Sequence, residues 1–478
     1  MTSDRILETR VPARLDRLPW SAFHWRVVAA LGITWILDGL EVTFKGAVSG
    51  VLQLPGTLGL TPAQIGLLAS GYLSGAVLGA LVFGRLTDRH GRKQLFFVTL
   101  SVYLAGVALS AFSWSFGSFL AFRFITGCGI GGEYAAINSA IDELIPARYR
   151  GRVGLMINGS FWIGAALGAG VSVLLLDTGL FDVDVGWRVG FAAGGALGLV
   201  ILFFRRSIPE SPRWLLTHGY EAEAERVVAD IERAVEARTG CVLPAPEGAP
   251  LVLRPRREYG LRLVLRAMVL RYRARSVLCV LLMMSQAFLY NAIFFTYALV
   301  LTRFYAVPAA KTGLYLLPFA LGNFLGPLAL GRFFDTVGRR QMIALTYATS
   351  AVLLAATGWL FAGGLIGAPA QTALWCVIFF FASAAASSAY LTASEVFPLE
   401  IRALAIAVFF AVGTGAGGIA APWLFGTLIG TGSREAVYHG YLAAALLMLV
   451  PVAAVLAFGV RAERKPLEEI APPLSAED

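Results

Sequence analysis

The apolar positions of this 478-residue chain fall in long continuous runs rather than in short alternating stretches. A helix that crosses a bilayer needs about 20 mostly apolar residues, whereas membrane strands alternate apolar and polar positions. The runs therefore predict an all-α integral membrane protein. Twelve runs are long enough, and they predict twelve transmembrane helices over 24–52, 64–84, 94–113, 116–139, 151–176, 187–205, 275–302, 312–331, 342–362, 370–392, 402–430 and 437–460.

The composition supports a membrane protein and excludes several other classes. The chain is 57% apolar and 14% charged, whereas soluble domains are about 45–50% apolar and about 25% charged. This balance excludes a soluble enzyme, a disordered chain and a disulfide scaffold. The four Cys and four His show no metal-ligand spacing, so we expect no metal site.

The net charge of +9 is distributed unevenly over the loops. In a twelve-span arrangement, 33 of the 39 Lys and Arg residues fall in the two tails and the loops on one side. Cytoplasmic loops carry an excess of Lys and Arg. We therefore expect a multi-pass protein of the plasma (inner) membrane with both termini in the cytoplasm. Because this explains the basic charge, we expect no nucleic-acid partner.

Two loop motifs occur twice. Residues 84–94 are GRLTDRHGRKQ and residues 331–341 are GRFFDTVGRRQ, 247 positions later. The spacing E-x-x-P-x-x-x-R occurs at 143–150 and again at 395–402. Such repeats are typical of transporters that bind substrate between two related halves. The predicted domains are an N-terminal tail at 1–23, two six-helix bundles at 24–205 and 275–460, a linker at 206–274 with a surface helix near 220–238, and a C-terminal tail at 461–478.

The repeated loops place Arg and acidic residues at helix ends, where they can pair, for example Asp88 or Glu143 with Arg150 or Arg152. Pairs of this kind would hold one conformation and break in another. The alternative is that these charges only set topology, and the duplication argues against it. The candidate gating residues are Arg85, Asp88, Arg92, Glu133, Glu143, Arg150, Arg152, Arg332, Asp335, Arg339, Glu395 and Arg402.

A few charged residues lie inside the predicted spans, where ionisable groups are costly and tend to pair or to act in function. Asp38, Glu41 and Lys45 follow one another at i, i+3 and i+7, which puts them on one helical face. Glu41 and Lys45 are spaced to pair, and the structural alternative is that these charges only neutralise one another while Lys45 extends to the membrane surface. Arg123 lies inside the fourth span.

These motifs resemble the major facilitator superfamily over roughly residues 20–460. The segments at 123–133, 143–152 and 209–215 (PESPRWL) are similar to motifs of its sugar porter and metabolite:proton symporter branches. The resemblance implies two pseudo-symmetric six-helix bundles that work by alternating access. The segment Asp38-Gly-Leu-Glu41 resembles the DGxD motif of aromatic acid:proton symporters, with Glu in place of the second Asp.

The resemblance also implies site residues. It places Arg123 opposite Asp38 or Glu41, so these three are the candidates for proton coupling, with Arg123 setting the carboxylate pKa or binding a substrate carboxylate. Tyr390 stands where sugar porters carry a Trp, which departs from their pattern. The candidate substrate-binding residues are Arg123, Asn158, Trp162, Gln286, Tyr290, Asn291 and Tyr390.

The leading functional hypothesis is a proton-coupled secondary transporter of a small organic metabolite, with an organic or aromatic acid as substrate. The first alternative is a sugar or polyol porter, and an alternative of another class is a membrane receptor or sensor without flux. The chain lacks a Walker motif, so we expect no use of ATP. We expect a monomer surrounded by lipid, with no cofactor and with the proton gradient as energy source.

Overall fold

A computed structural model describes residues 6–176, 179–205, 209–240, 242–246, 250–254, 265–294, 296–307 and 312–474. The helices are α1 (Val11–Asp16), α2 (Ala22–Val51), α3 (Pro62–His90), α4 (Arg92–Ser110), α5 (Phe116–Leu144), α6 (Arg150–Gly159), α7 (Phe161–Leu175), α8 (Gly186–Arg205), α9 (Pro212–Thr217), α10 (Glu221–Thr239), α11 (Arg273–Phe294), α12 (Tyr297–Tyr305), α13 (Thr312–Thr336), α14 (Arg339–Ala362), α15 (Ala368–Glu395), α16 (Arg402–Gly413), α17 (Ala420–Gly430), α18 (Arg434–Phe458) and α19 (Leu467–Ile470).

Within these described ranges, ten helical segments are long and apolar enough to cross a membrane. They correspond to ten of the twelve predicted spans. The other two predicted spans, 116–139 and 187–205, are also helical, as α5 and α8. Helix α5 contains Arg123 and Glu133 and several glycines, which lower its mean hydropathy. The prediction of an all-α membrane fold is confirmed.

Three predicted spans are interrupted rather than straight. The span 151–176 is divided at Ser160 between α6 and α7, where the Ser160 hydroxyl donates to the Ile157 carbonyl oxygen at 2.6 Å and lies 3.0 Å from that of Gly32. The span 275–302 is divided between α11 and α12. The span 402–430 contains a π-helical turn, Thr414–Gly418, whose sequence TGAGG is rich in helix-softening glycine.

Close backbone approach fixes neighbouring helices within the first bundle. A Cβ atom at Gly131 of α5 would overlap the Ala76 carbonyl oxygen of α3. A Cβ atom at Gly39 of α2 would likewise overlap the Phe161 carbonyl oxygen of α7. Small residues allow this approach in lipid, where packing rather than water drives helix association. Gly39 adjoins Asp38, so the contact holds that carboxylate at a fixed position.

The linker and N-terminal tail form a small layer at one end of the bundle. The helix predicted near 220–238 is present as α10 and is held to α1 by Glu232, which pairs with Arg14 at 2.6 Å and with Arg17 at 2.5 Å. The strands β1 (Leu7–Thr9) and β2 (Leu251–Leu253) form an antiparallel pair with Glu8 opposite Val252. The hydrophobicity pattern did not predict this pair, because each strand has only three residues.

Candidate functional site

A cavity of about 250 Å³ lies between the two helical bundles. Helices α2, α3, α5, α6 and α7 of the first half line it, together with α11, α15, α16 and the π turn of the second half. Its wall combines apolar and aromatic surface with amide, hydroxyl and ammonium groups. The described aromatic and polar residues of its wall are Trp35, Lys45, Tyr72, Tyr134, Asn158, Phe161, Trp162, Gln286, Tyr290, Asn291, Phe294, Ser383, Ser387, Tyr390, Phe410 and Thr414.

The structure brings six of the seven candidate substrate-binding residues to this wall, namely Asn158, Trp162, Gln286, Tyr290, Asn291 and Tyr390. They come from the adjacent helices α6 and α7 of the first half and from α11 and α15 of the second half. Arg123, the seventh, is fully buried and is not among the residues that line the cavity. The wall also contains aromatic residues that the motifs did not single out, including Trp35 and Tyr72.

The aromatic residues of the wall form two groups. On one side, Trp35 and Tyr134 stack with their ring centres 4.7 Å apart, and Tyr390 of the opposite half lies 6.2 Å from Tyr134. On the other side, Trp162 lies 6.0 Å from Tyr290 and 5.4 Å from Phe294. Each group therefore joins the first half of the chain to the second across the cavity. Aromatic walls of this kind suit a small ligand that contains a ring.

Asp38 lies behind this wall and is 1% exposed. The Tyr134 hydroxyl donates to its carboxylate at 2.8 Å, and the Tyr72 hydroxyl lies 3.4 Å from the other carboxylate oxygen. Both tyrosines also line the cavity. A buried carboxylate is thus separated from the cavity by two phenol side chains that touch both.

Glu41 and Arg123 form a buried ion pair. The same guanidinium donates to the Thr126 hydroxyl at 2.8 Å and lies 4.9 Å from the centre of the Phe191 ring. Of the two partners that the resemblance allowed for Arg123, the structure selects Glu41 rather than Asp38. The expected Glu41–Lys45 ion pair is not found among the described residues, because the Glu41 carboxylate is paired with Arg123. The Lys45 ammonium instead lies 4.1 Å above the Tyr72 ring.

Charged residues at one end of the bundle form two related clusters. The first latch consists of Asp88, Arg92, Glu143 and Arg402. Arg92 pairs with Glu143 at 2.8 Å and with Asp88 at 3.5 Å, and Glu143 lies 3.4 Å from Arg402 of the second half. The Asp88 carboxylate accepts hydrogen bonds from the backbone N–H groups of Ala403 and Leu404. It thereby caps the start of α16.

The second latch repeats this arrangement with Asp335, Arg339, Glu395 and Arg150. Arg339 pairs with Asp335 at 2.8 Å and with Glu395 at 2.9 Å, and Glu395 lies 3.7 Å from Arg150 of the first half. Asp335 accepts the backbone N–H groups of Gly151 and Arg152 at the start of α6. Each latch therefore joins one half of the molecule to the other.

The examples of pairing expected from the sequence, Asp88 or Glu143 with Arg150 or Arg152, are wrong in detail. Glu143 pairs with Arg92 and Arg402, while Arg150 lies nearest to Asp16, Asp142 and Glu395. The reason is that the helices bring Arg92 and Arg402 next to Glu143, and the start of α16 next to Asp88, which sequence proximity does not reveal.

The remaining candidate gating residues lie elsewhere. The side chains of Arg85, Arg152 and Arg332 are exposed, and Arg332 lies 4.7 Å from the Phe333 ring. Glu133 is fully buried within α5. The side chains of these four residues are therefore outside the two latches, to which Arg152 contributes only its backbone N–H.

The PESPRWL segment fastens the linker to the first latch. Glu210 accepts the backbone N–H of Arg92 at 2.9 Å and that of Lys93 at 3.1 Å, and burial raises the pKa of this carboxyl. Arg213 pairs with Glu468 of the C-terminal tail at 2.9 Å and with Asp16 of the N-terminal tail at 3.1 Å. The sequence motif identified this segment, but the carboxylates of the two tails, Asp16 and Glu468, belong to no motif.

Two halves joined by paired latches around a central aromatic cavity define a membrane transporter of the major facilitator superfamily fold. The chain belongs to the sugar (and other) transporter family, whose model matches residues 42–473. Its relatives and structural neighbours are transporters rather than enzymes.

Two relatives align over most of the chain. It is 28% identical over 465 residues to a niacin transporter of Acinetobacter baylyi, an alignment that covers 96% of this chain and 99% of the relative. It is 26% identical to a probable 4-methylmuconolactone transporter of Cupriavidus pinatubonensis, over 83% of this chain and 82% of the relative. Among solved structures, it is similar to the proton:xylose symporter XylE bound to 6-bromo-6-deoxy-D-glucose, with a TM-score of 0.75, 19% identity and coverage of 93% and 98%.

Proposed function

We propose that this protein is a proton-coupled symporter of a small organic acid, with aromatic acids as the preferred class. The observation that carries the proposal is the position of Asp38 behind Tyr72 and Tyr134. Because both tyrosines also line the cavity, a substrate in the cavity and a proton on Asp38 act on the same two side chains. Coupling between substrate binding and protonation of Asp38 then needs no further side chain between them.

Asp38 is a better proton site than Glu41 on electrostatic grounds. Protonating Glu41 would leave the Arg123 guanidinium buried without its counter-charge, which is strongly unfavourable. No ion pair of Asp38 is found among the described residues, so protonating Asp38 breaks no such pair. We therefore assign the transported proton to Asp38 and a supporting role to the Glu41–Arg123 pair.

The latches suggest how access alternates. The distribution of Lys and Arg supports a cytoplasmic location for the latch end, both termini and the linker of an inner-membrane protein. The structure would then be the state that is closed toward the cytoplasm. Rocking of the two halves toward the opposite state would break the cap that each half forms on the other half's helix. The energy source in this proposal is the proton gradient.

The relatives support the substrate class. Niacin is a pyridine carboxylic acid and 4-methylmuconolactone is a small cyclic acid, so both named substrates combine a compact ring with a carboxylate. A sugar or polyol remains the second candidate, and the amides of Asn158, Gln286 and Asn291 on the cavity wall favour it. Aromatic side chains outnumber these amides, which favours the aromatic acid.

The test is uptake of labelled nicotinate into liposomes that contain the purified protein. An acidic outside medium should drive accumulation above that in protein-free liposomes under the same gradient, a control for passive entry of the neutral acid. Asp38→Asn should abolish the gradient-driven part and keep exchange at equal pH. Retention of full gradient-driven accumulation by Asp38→Asn would contradict the assignment of the proton to Asp38, and its retention by Glu41→Gln as well would exclude both carboxylates.

Competing ligands distinguish the alternatives in the same liposomes. Unlabelled benzoate should reduce nicotinate uptake, and excess xylose should not. Saturable uptake of xylose without uptake of nicotinate would favour the sugar porter instead. Binding without any flux of either ligand would indicate a receptor.

A further inference from the structure

Lys45 provides the positive charge of the cavity. Of the described residues that line the cavity, it alone is charged. Arg123, which the sequence suggested for this purpose, is 0% exposed and is held by Glu41 and Thr126. An anionic substrate in the cavity therefore meets the ammonium of Lys45 and not the guanidinium of Arg123.

The surroundings of Lys45 leave its ammonium able to bind an anion. The side chain is partly exposed, and no ion pair of Lys45 is found in the part of the chain that the structure describes. Its contact with the Tyr72 ring, at 4.1 Å, is a cation–π interaction that positions the ammonium without neutralising it. An ammonium has three hydrogen-bond donors, so donors remain for a carboxylate.

Position along α2 relates Lys45 to the proposed proton site. Lys45 follows Asp38 by seven residues, which places it about two turns, or about 10 Å, further along the same helical face. Tyr72 lies beneath the ammonium and also contacts Asp38. An anion bound at Lys45 and a proton bound at Asp38 would thus share Tyr72 as a neighbour.

We propose that Lys45 binds the carboxylate of a planar aromatic monocarboxylate whose ring lies between the two aromatic groups of the cavity wall. This inference rests on the proposed function for the substrate class and adds the residue that selects acids over neutral analogues. Trp35 and Tyr134 stack at 4.7 Å in one group, and Trp162 and Tyr290 lie 6.0 Å apart with their ring planes inclined by 31° in the other. An analogue that carries a neutral amide in place of the carboxylate keeps the ring contacts and loses the charge-assisted hydrogen bond to Lys45.

The test compares equilibrium binding of nicotinate and nicotinamide to the purified full-length protein at neutral pH without a gradient. The two ligands share the pyridine ring and differ in charge. The wild type should bind nicotinate at least about tenfold more tightly, as expected for one charge-assisted hydrogen bond. Lys45→Gln should bring the affinity ratio close to one, and Lys45→Arg should preserve most of it. Arg226→Gln, which removes an exposed charge from α10, is the matched control and should keep the wild-type ratio.

A second measurement needs no variant. The chain has four lysines, Lys45, Lys93, Lys311 and Lys465, and reductive methylation followed by mass spectrometry reports the reactivity of each one. Nicotinate, but not nicotinamide, should protect Lys45, while Lys93 and Lys465 serve as internal references. Protection of Lys45 by both ligands or by neither would overturn the inference.

Other outcomes are equally decisive. A wild-type ratio retained by folded Lys45→Gln, a ratio lost only in Arg123→Gln, or absence of wild-type binding to both ligands would overturn the assignment of Lys45. If the ratio and the protection are found but no gradient-driven uptake occurs, Lys45 stands as the carboxylate site and proton coupling fails. The two proposals are therefore tested separately.

Discussion

Asp88 and Asp335 lie 247 residues apart and make equivalent contacts in opposite directions across the molecule. Asp88 of the first half accepts the backbone N–H groups of Ala403 and Leu404 at 3.2 and 2.9 Å. Asp335 of the second half accepts those of Gly151 and Arg152 at 3.0 and 2.7 Å. Each carboxylate also lies at the positive end of the helix dipole that it caps. The two halves therefore hold each other closed at this end.

Removing one of these caps should shift the molecule toward the state that is open at the latch end. Loss of a helix cap costs about 0.5–2 kcal/mol, which corresponds to a change of roughly fivefold in the ratio of two states for 1 kcal/mol. Asp88→Ala and Asp335→Ala should each lengthen the distance between spin labels at Gln94 and Gln341, measured by double electron–electron resonance in a cysteine-free background. These two positions are exposed and lie on opposite halves.

Arg332 offers a control for the latch prediction. Its side chain is exposed and lies on Phe333, although the sequence motif includes it. Arg332→Gln should leave the distribution of label distances unchanged. Equal shifts in Arg332→Gln and Asp335→Ala would show that the motif sets the conformation by overall charge rather than by capping.

The Glu41–Arg123 pair should show strong coupling in a double-mutant cycle. Removing one partner of a buried ion pair costs about 3–5 kcal/mol because the other charge stays buried without compensation. Glu41→Gln and Arg123→Gln should each lower the melting temperature in detergent, and the double variant should lose clearly less than the sum of the two. Additive losses would contradict a direct pair.

Two glycines should respond in opposite ways to the same substitution. Gly131→Ala places a methyl group against the Ala76 carbonyl oxygen and should destabilise the protein by about 1–3 kcal/mol through overpacking. Gly170 of α7 has open space at its Cβ position, so Gly170→Ala should be neutral or raise stability by up to about 1 kcal/mol. Melting temperatures of the two variants measure this difference. Equal effects would show that α3 and α5 are less closely packed than the structure indicates.

The linker should become less stable as the pH falls below about 6.5. His218 stacks on Trp214 at 4.3 Å, and burial lowers its pKa to about 4. Between the folded pKa of about 4 and the unfolded pKa of about 6.5, the unfolded linker takes up a proton that the folded linker excludes. The stabilisation that neutral His218 provides is therefore fully present above about pH 6.5 and decreases as the pH falls. The slope from this one group is at most about 1.4 kcal/mol per pH unit.

Hydrogen exchange of the α9 backbone measures this effect locally. After correction for the intrinsic pH dependence of exchange, wild-type α9 should lose more protection between pH 7.5 and pH 5.0 than α9 of the His218→Gln variant. Parallel loss of protection in the two proteins would assign the pH dependence to other groups.

Local pattern was sufficient to predict most of the fold. The apolar runs predicted helices wherever the structure has spanning segments, because a helix in lipid must satisfy its own backbone hydrogen bonds whatever it packs against. Ser160 and the Thr414–Gly418 turn interrupt two of these helices through a side-chain hydrogen bond and a glycine-rich turn, which hydropathy does not register. The three-residue strands are too short to produce any pattern.

The sequence by itself determined the class of the protein, its duplicated architecture and the residue types available for a site, since these follow from hydropathy, spacing and repetition. Only the tertiary structure decided which charges meet. Glu41 is taken by Arg123 rather than by Lys45, and Glu143 meets Arg402 rather than Arg150. The physical reason is that a buried charge is stable only beside a compensating group. The packing of helices that are distant in the sequence decides which group lies beside it. Lys45 is thereby left facing the cavity.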